Sequence, residues 1–127
     1  MKRAVILLVA LGTMLALVAG VAVAEFEQGG SGNNTIIGTN GPDTLRGGGG
    51  NDTIRGKEGA DKVFGEKGED EVHGGMGQDE IRGGKGNDRL FADDGDPDKI
   101  VDGGGGNDDV CFVDSRDNDI KGCESIR

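Results

Sequence analysis

A nine-residue period runs through most of this chain and limits the folds that are open to it. Seven consecutive units fill residues 29–91 without a gap. An eighth unit, 92–101, contains one extra residue near Pro97, and a ninth unit, 103–111, follows a second insertion at Asp102. Units of this length, repeated in phase, predict a solenoid in which each unit packs only against its neighbours.

Three positions of the unit carry the period. The fourth position is Gly in every unit, the sixth is Asp in all units but the first, and the eighth is always aliphatic. The sixth-position residues are Asn34, Asp43, Asp52, Asp61, Asp70, Asp79, Asp88, Asp98 and Asp108. The eighth-position residues are Ile36, Leu45, Ile54, Val63, Val72, Ile81, Leu90, Ile100 and Val110. Because nine of the eleven Ile, Leu and Val residues between positions 29 and 111 fall in one column, the pattern argues against a disordered linker.

Each position has a physical role in a short coil. Gly adopts the left-handed backbone angles of a tight turn without steric cost. The three residues after the sixth position alternate polar, aliphatic and polar, which suits a very short β-strand. Since three residues cannot form a stable strand alone, we expect two units to make one coil and the coils to stack. The eighth-position side chains would then meet inside the coils as a thin apolar ladder.

The composition gives this ladder little support. The 127 residues include 27 Gly, four Phe and no Trp or Tyr, and the formal net charge is −10. Such a chain cannot fill an ordinary hydrophobic core, so it stays disordered unless a cation or a basic partner supplies free energy. The negative charge also argues against nucleic acid as a partner.

The sixth-position carboxylates favour a divalent cation. Stacking units eighteen residues apart gives seven pairs of sixth-position residues, from Asn34 over Asp52 to Asp88 over Asp108. Carboxylates this close repel each other unless a cation lies between them. Ca²⁺ takes six or more hard oxygen ligands, whereas Mg²⁺ demands strict octahedral geometry. The pattern therefore predicts a fold that forms only when Ca²⁺ binds.

The consensus of the units, G-G-x-G-x-D-x-aliphatic-x, resembles the hemolysin-type, or repeats-in-toxin (RTX), calcium-binding nonapeptide, which residues 47–55 and 83–91 match in full. The resemblance implies an all-β, right-handed parallel β-roll (a solenoid) with two repeats per coil, which binds Ca²⁺ between its turns. The implied ligands are the nine sixth-position side chains, together with turn carbonyls such as those of Gly47, Gly49, Gly65, Gly74 and Gly83. The insertions blur the last pairs, so we expect about five to seven ions. The chain is similar to short, stand-alone repeat proteins that are exported through the general secretory route.

Residues 1–24 differ from the rest of the chain. A positive start, Met1-Lys2-Arg3, precedes an uncharged run that ends in Ala22-Val23-Ala24. This pattern is typical of a secretory signal peptide that is cleaved after Ala24, and an uncleaved membrane anchor is the alternative. We expect a short N-terminal segment, 25–28, to follow it. The protein would then be secreted or attached to the cell envelope, with no membrane contact after cleavage.

The C-terminal segment, 112–127, is expected to cap the last coil. Cys111 and Cys123 are the only cysteines, and an even pair in an exported protein predicts a disulfide, with free thiols as the alternative. Phe112, Ile120 and Ile126 are expected to cover the end of the apolar ladder. A tail without fixed structure is the alternative for this segment.

No catalytic residues are expected. His73 is the only His and stands at the variable ninth position of its unit, so neither a catalytic triad nor a zinc site can be assembled. Residues 94–98 briefly resemble the start of an EF-hand loop but lack its Gly and its Glu. The leading hypothesis is therefore a calcium-binding structural module outside the cell. The alternative is a calcium-dependent adhesin that binds cell-wall glycan or another extracellular protein, and a hydrolase is the third and weakest possibility.

Overall fold

The computed structural model describes residues 5–7 and 25–127. The predicted signal peptide, apart from residues 5–7, lies outside the described residues. Within the described residues the chain forms thirteen β-strands and no helix. These residues therefore contain no helix that is long and apolar enough to cross a membrane. The strands are β1 (Val5–Leu7), β2 (Glu25–Gln28), β3 (Asn34–Ile37), β4 (Asp43–Gly48), β5 (Thr53–Glu58), β6 (Lys62–Lys67), β7 (Glu71–Met76), β8 (Glu80–Lys85), β9 (Arg89–Ala92), β10 (Ile100–Gly105), β11 (Val110–Val113), β12 (Ile120–Lys121) and β13 (Ser125–Ile126).

The strands form two parallel sheets, and successive strands of the chain belong alternately to one sheet and the other. One sheet has the order β1-β3-β5-β7-β9-β11-β13, and the other has the order β12-β10-β8-β6-β4-β2. Consecutive strands therefore lie in opposite sheets, and each coil of the chain contributes one strand to each. Ile36 pairs with Ile54 and Leu45 pairs with Val63, which sets a spacing of eighteen residues from coil to coil. The parallel β-solenoid with two repeats per coil is confirmed.

The strands are longer than three residues. Five strands in the regular part of the roll have six residues each, because they continue through the first two or three positions of the next unit. At the second of these positions the backbone has a positive φ, which is 98° at Gly48 and 109° at Gly84. Lys57 and Glu66 hold the same position with φ of 87° and 80°. These two side chains therefore occupy a backbone region that favours glycine, at an energetic cost to the fold.

The apolar ladder fills the space between the two sheets. Its members are each at most 1% exposed, and one row of them comes from each sheet. The buried apolar residues are Ile36, Leu45, Ile54, Val63, Val72, Ile81, Leu90, Ala92, Val101 and Cys111. Seven of the nine predicted members are confirmed, and the core is as thin as the composition predicted.

The last two predicted members of the ladder, Ile100 and Val110, are wrong by one residue. Val101 pairs with Ile81, and Cys111 pairs with Leu90, so these two residues take the inward positions. The shift at Val101 arises from a bulge at Lys99, because the N–H groups of Lys99 and Ile100 both donate to the Asp79 carbonyl. Asp102, predicted as an insertion, is a regular member of β10.

The C-terminal segment continues both sheets. β12 pairs with β10 and β13 pairs with β11, so the segment adds a further coil. The predicted disulfide between Cys111 and Cys123 is confirmed. Val113, Ile120 and Cys123 pack against the end of the ladder, whereas Ile126 is 59% exposed and does not cover it.

Aromatic rings line one outer face of the roll. His73, Phe91 and Phe112 stack with ring centroids 4.3 Å and 4.6 Å apart. Phe112 therefore packs on the outside of the roll. The expectation that it covers the end of the ladder is wrong. His73 Nε2 lies 2.9 Å from Glu71 Oε1, and no acid or nucleophile beyond this carboxylate appears among its described contacts.

Candidate metal centre

The sixth-position residues form two columns, one at the start of each sheet. In the regular units each Asp lies directly before a strand or, at Asp43, begins it, so the register of the sheet fixes its backbone. The columns run 34, 52, 70, 88, 109 on one side and 43, 61, 79, 98 on the other. Every Asp in them is at most 2% exposed. The roll therefore buries carboxylates in rows that parallel its apolar ladder.

After the first member of each column, one oxygen of each carboxylate is held by the coil before it. The Asp43 N–H donates to Asp61 Oδ1 at 2.8 Å, and the Asp52 N–H donates to Asp70 Oδ1 at 2.8 Å. The same bond repeats along both columns at 2.7–2.8 Å as far as Asp109. These bonds satisfy a backbone donor next to each turn and fix the orientation of the carboxylate.

The second oxygen of every column carboxylate except Asp43 has no hydrogen-bond partner. This group comprises Oδ2 of Asp52, Asp61, Asp70, Asp79, Asp88, Asp98 and Asp109, and each of these atoms is buried. A buried carboxylate oxygen that lacks a donor is costly, because it has lost water and gained nothing. Seven such atoms, all in equivalent positions, indicate that the fold reserves them for a ligand that the protein itself does not supply.

Glycine at the first position of the regular units makes room beside these oxygens. A Cβ on Gly65 would lie 2.5 Å from both Asp70 Oδ2 and the Gly83 carbonyl oxygen. A Cβ on Gly74 would lie 2.6 Å from Asp79 Oδ2. A side chain at this position would therefore collide with the free carboxylate oxygen. The predicted carbonyls of Gly47, Gly65, Gly74 and Gly83 all lie at such first positions, whereas the described neighbour of Gly49 is Ser31.

Burial raises the pKa of most column carboxylates. Loss of water is the main cause, and the neighbouring carboxylates of the column raise these pKa values further, against the lowering effect of the N–H bond. The pKa is about 6 for Asp61 and Asp88, about 7 for Asp70 and Asp79, and about 8 for Asp98. The pKa values of Asp52 and Asp109 are also raised by burial. Without a cation, the folded columns thus favour protonated carboxyl groups.

The first member of each column differs from the rest. The Asn34 Nδ2 donates to the Gly32 carbonyl at 2.7 Å and to Asp52 Oδ1 at 3.2 Å, and this nitrogen, not an oxygen, lies beside Gly29 at the place that Oδ2 takes in later units. Asp43 Oδ2 accepts from the Thr39 N–H at 2.7 Å. Neither residue therefore presents the free oxygen that the later members share, although both stand where the repeat predicted them.

The last predicted member, Asp108, is not in the column. It is exposed, whereas Asp109 is fully buried and its Oδ1 accepts the Asp88 N–H at 2.7 Å. Asp108 is an extra residue in the turn, since Asn107 still aligns with Asn87 in the coil before it. The last unit therefore has one extra residue between its Gly residues and its column acid. Counting positions from the glycines assigns the column to Asp108 and misses this extra residue.

Two acids that the repeat pattern missed extend the columns into the C-terminal segment. The Asp98 N–H donates to Asp117 Oδ1 at 3.1 Å, and the Asp109 N–H donates to Glu124 Oε2 at 2.7 Å. Asp117 has none of the Gly residues of the unit before it, and Glu124 has only Gly122, two residues before it. The remaining signal in the sequence is an acid one to three residues before the short strands β12 and β13.

The columns fit a hard cation that prefers oxygen ligands. Their donors are carboxylate and carbonyl oxygens only, which are the ligands of Ca²⁺, and the free Oδ2 atoms have no other partner. A bound divalent ion would neutralise adjacent carboxylates and hold two coils together. The arrangement therefore supports cation binding and stabilisation of the coils.

Comparisons with known proteins match the regular part of the chain. A family model described as the RTX calcium-binding nonapeptide repeat (4 copies) matches residues 28–63, 47–81 and 73–96. Together the matches span residues 28–96, which is 69 of 127 residues. No curated protein and no solved structure matches the chain. The matched region thus contains the column residues up to Asp88 and ends before Asp98.

Proposed function

The chain belongs to the family of RTX calcium-binding nonapeptide repeats, and from this premise we propose that it is an extracellular structural module that folds when its two Asp columns bind Ca²⁺. Calcium binding within a structural repeat module follows from the family. The finer proposal concerns which residues hold the ions and what the ions do for the fold.

The observation that carries the proposal is the set of seven buried Oδ2 atoms without partners. Five of them lie next to a glycine that leaves space for the oxygen, namely those of Asp52, Asp61, Asp70, Asp79 and Asp88. A bound cation would offset the desolvation free energy of these buried oxygens and would also remove the repulsion between neighbouring carboxylates. Protein hydrogen bonds already occupy Oδ1, so Oδ2 and the turn carbonyls are the groups that remain for the ion.

Free oxygens on two successive members of a column define a site. Five pairs meet this condition, and the members of each are one coil apart. They are Asp52 with Asp70, Asp70 with Asp88, Asp88 with Asp109, Asp61 with Asp79, and Asp79 with Asp98. We therefore assign about five ions to the roll, at the lower end of the range expected from the sequence.

The location of the module is part of the proposal. A signal peptide at residues 1–24 would deliver the chain to calcium-rich surroundings, and extracellular calcium modules commonly bind with Kd near 10⁻⁴–10⁻³ M. The chain would then stay unfolded inside the cell and fold after export. Calcium-dependent adhesion to glycan or to another protein rests on no contact of the described residues and stays a prediction.

The number of bound ions tests the assignment. In equilibrium dialysis with radioactive calcium, the full chain is expected to bind about five ions at saturation. Asp61→Ala combined with Asp70→Ala removes members of three of the five pairs. The double variant is expected to bind about two ions and to need more calcium for folding.

A matched control separates the columns from general negative charge. Glu58→Ala combined with Glu69→Ala removes the same charge from two exposed carboxylates in the same coils. This variant is expected to bind as many ions as the unchanged chain. An unchanged ion count in the Asp61 and Asp70 variant, or an equal loss in the control, would show that the columns are not the binding sites.

A further inference from the structure

The turn at residues 92–98 breaks the repeat in a way that the regular sites do not explain. Every other unit has Gly at its first position, but this unit has Ala92, which is 1% exposed within the apolar core. At Gly65 or Gly74 a Cβ would come within 2.6 Å of the free oxygen of the unit's own Asp. The methyl group of Ala92 therefore prevents this turn from copying the regular one.

The turn is also one residue longer and carries additional acid. Asp79 and Asp98 are 19 residues apart, instead of the regular 18, and the Asp79 N–H still donates to Asp98 Oδ1 at 2.8 Å. The longer turn brings Asp94 to this pair. One carboxylate oxygen of each of Asp79, Asp94 and Asp98 lies within 4.8 Å of the other two.

Two of these three carboxylates have a buried oxygen that no protein group satisfies. Asp79 and Asp98 are fully buried, and Oδ2 of each lacks a partner. Asp94 is exposed, and its Oδ1 accepts the Asp96 N–H at 2.7 Å, which holds the carboxylate within the turn. None of the ion pairs of the described residues involves any of the three, so no side chain of the roll neutralises them.

Hydrogen bonds to both neighbouring coils hold the turn in place. The Gly77 N–H of the preceding coil donates to Asp96 Oδ2 at 3.1 Å. The Gly95 N–H donates to Asp114 Oδ2 of the following coil at 3.0 Å. The folded roll therefore sets the position of Asp94 and brings the three carboxylates together.

We propose that Asp79, Asp94 and Asp98 form a three-carboxylate Ca²⁺ site that binds more tightly than the two-carboxylate sites of the regular coils and fills first. Oxygens up to 4.8 Å apart can share one ion at Ca–O distances of 2.3–2.6 Å. The third negative charge strengthens the site, because the number of charged ligands sets calcium affinity in proteins. This inference rests on the proposed function, since it ranks one of the five sites above the others.

Equilibrium dialysis at low free calcium tests the ranking, with circular dichroism of the same samples. The full chain is expected to bind about one ion at a free calcium concentration about tenfold below that required by the rest. Asp94→Asn is expected to weaken this first step about tenfold or more and to leave the later steps unchanged. Because Asp94 is exposed, its replacement does not disturb the core.

Asp93→Asn is the matched control, because Asp93 is the exposed acid next to Asp94. It is expected to keep the first step. A binding curve of Asp94→Asn that coincides with that of the unchanged chain would overturn the three-carboxylate site, while the proposed function would stand. If neither the variants nor the unchanged chain bound calcium, the proposed function would fall together with this inference.

Discussion

In excess chelator at pH 8, the chain is expected to lose most of its β-sheet circular dichroism signal and to regain it when Ca²⁺ is added. The roll buries seven carboxylates with a free oxygen, and at this pH unfolding lets them ionise in water. The apolar ladder that opposes this cost contains only one row of side chains from each sheet. The free energy of unfolding is therefore expected to change sign between chelator and saturating calcium, which a calcium titration of the far-ultraviolet signal measures.

Acid is expected to replace calcium in part. The pKa values of Asp61, Asp70, Asp79 and Asp98 are about 6, 7, 7 and 8 in the folded chain, against 3.8 ordinarily. A raised pKa in the fold means that the folded state holds more protons than the unfolded state. Its contribution to stability is therefore complete below the ordinary pKa and is lost as the pH rises through 6–8. In chelator, the β signal is expected to increase when the pH falls from 8 to about 5.

Protons and calcium compete for the same carboxylates, which supplies a control within the same experiment. At pH 5 added calcium is expected to change the signal little, whereas at pH 8 it changes the signal fully. Mg²⁺ at equal concentration is expected to be much less effective, because it keeps its waters and requires a stricter geometry. A calcium-free chain that is fully folded at pH 8 would contradict the prediction, as would a chelated chain that becomes less ordered on acidification.

The regular part of the roll was predictable because one residue type dominates each position of the unit. Phasing of the aliphatic residues fixed the two sheets and the pairing of Ile36 with Ile54, since any other register would expose the ladder. The disulfide followed from an even pair of cysteines. The sixth-position acids up to Asp98 were placed in their columns for the same reason, because each stands at a fixed distance from a ladder residue.

The irregular part depended on backbone detail that a count of residues does not contain. The bulge at Lys99 uses two N–H groups on one carbonyl, and nothing in the sequence distinguishes this arrangement from an extra residue at Asp102. In the adjacent pair Asp108 and Asp109, either acid could enter the column, and the pairing of Cys111 with Leu90 decides for Asp109. The role of Asp94 arises only after the turn has folded back on Asp79.

Gly65→Ala is expected to destabilise the calcium-loaded roll by about 3 kcal/mol, whereas Gly49→Ala is expected to change its stability by less than about 1 kcal/mol. A Cβ on Gly65 would lie 2.5 Å from Asp70 Oδ2 and from the Gly83 carbonyl oxygen, and both atoms belong to rigid parts of the site. A Cβ on Gly49 would have Ser31 as its nearest neighbour at 3.5 Å, an ordinary contact. Thermal unfolding in saturating calcium measures the difference, with Tm expected to fall by about 10–20 °C for the Gly65 variant alone.

The two glycines make a fair comparison because neither has a positive φ, so only the space around the new methyl group differs. The third position, which Gly49 holds, already carries side chains at Met76 and Lys85. The first position carries one only at Ala92, where the turn is longer and Asp94 joins the site. If Gly65→Ala left both Tm and calcium affinity unchanged, glycine at the first position would not be needed to make room for the free carboxylate oxygens. Equal losses in both variants would assign the effect to the backbone instead of the site.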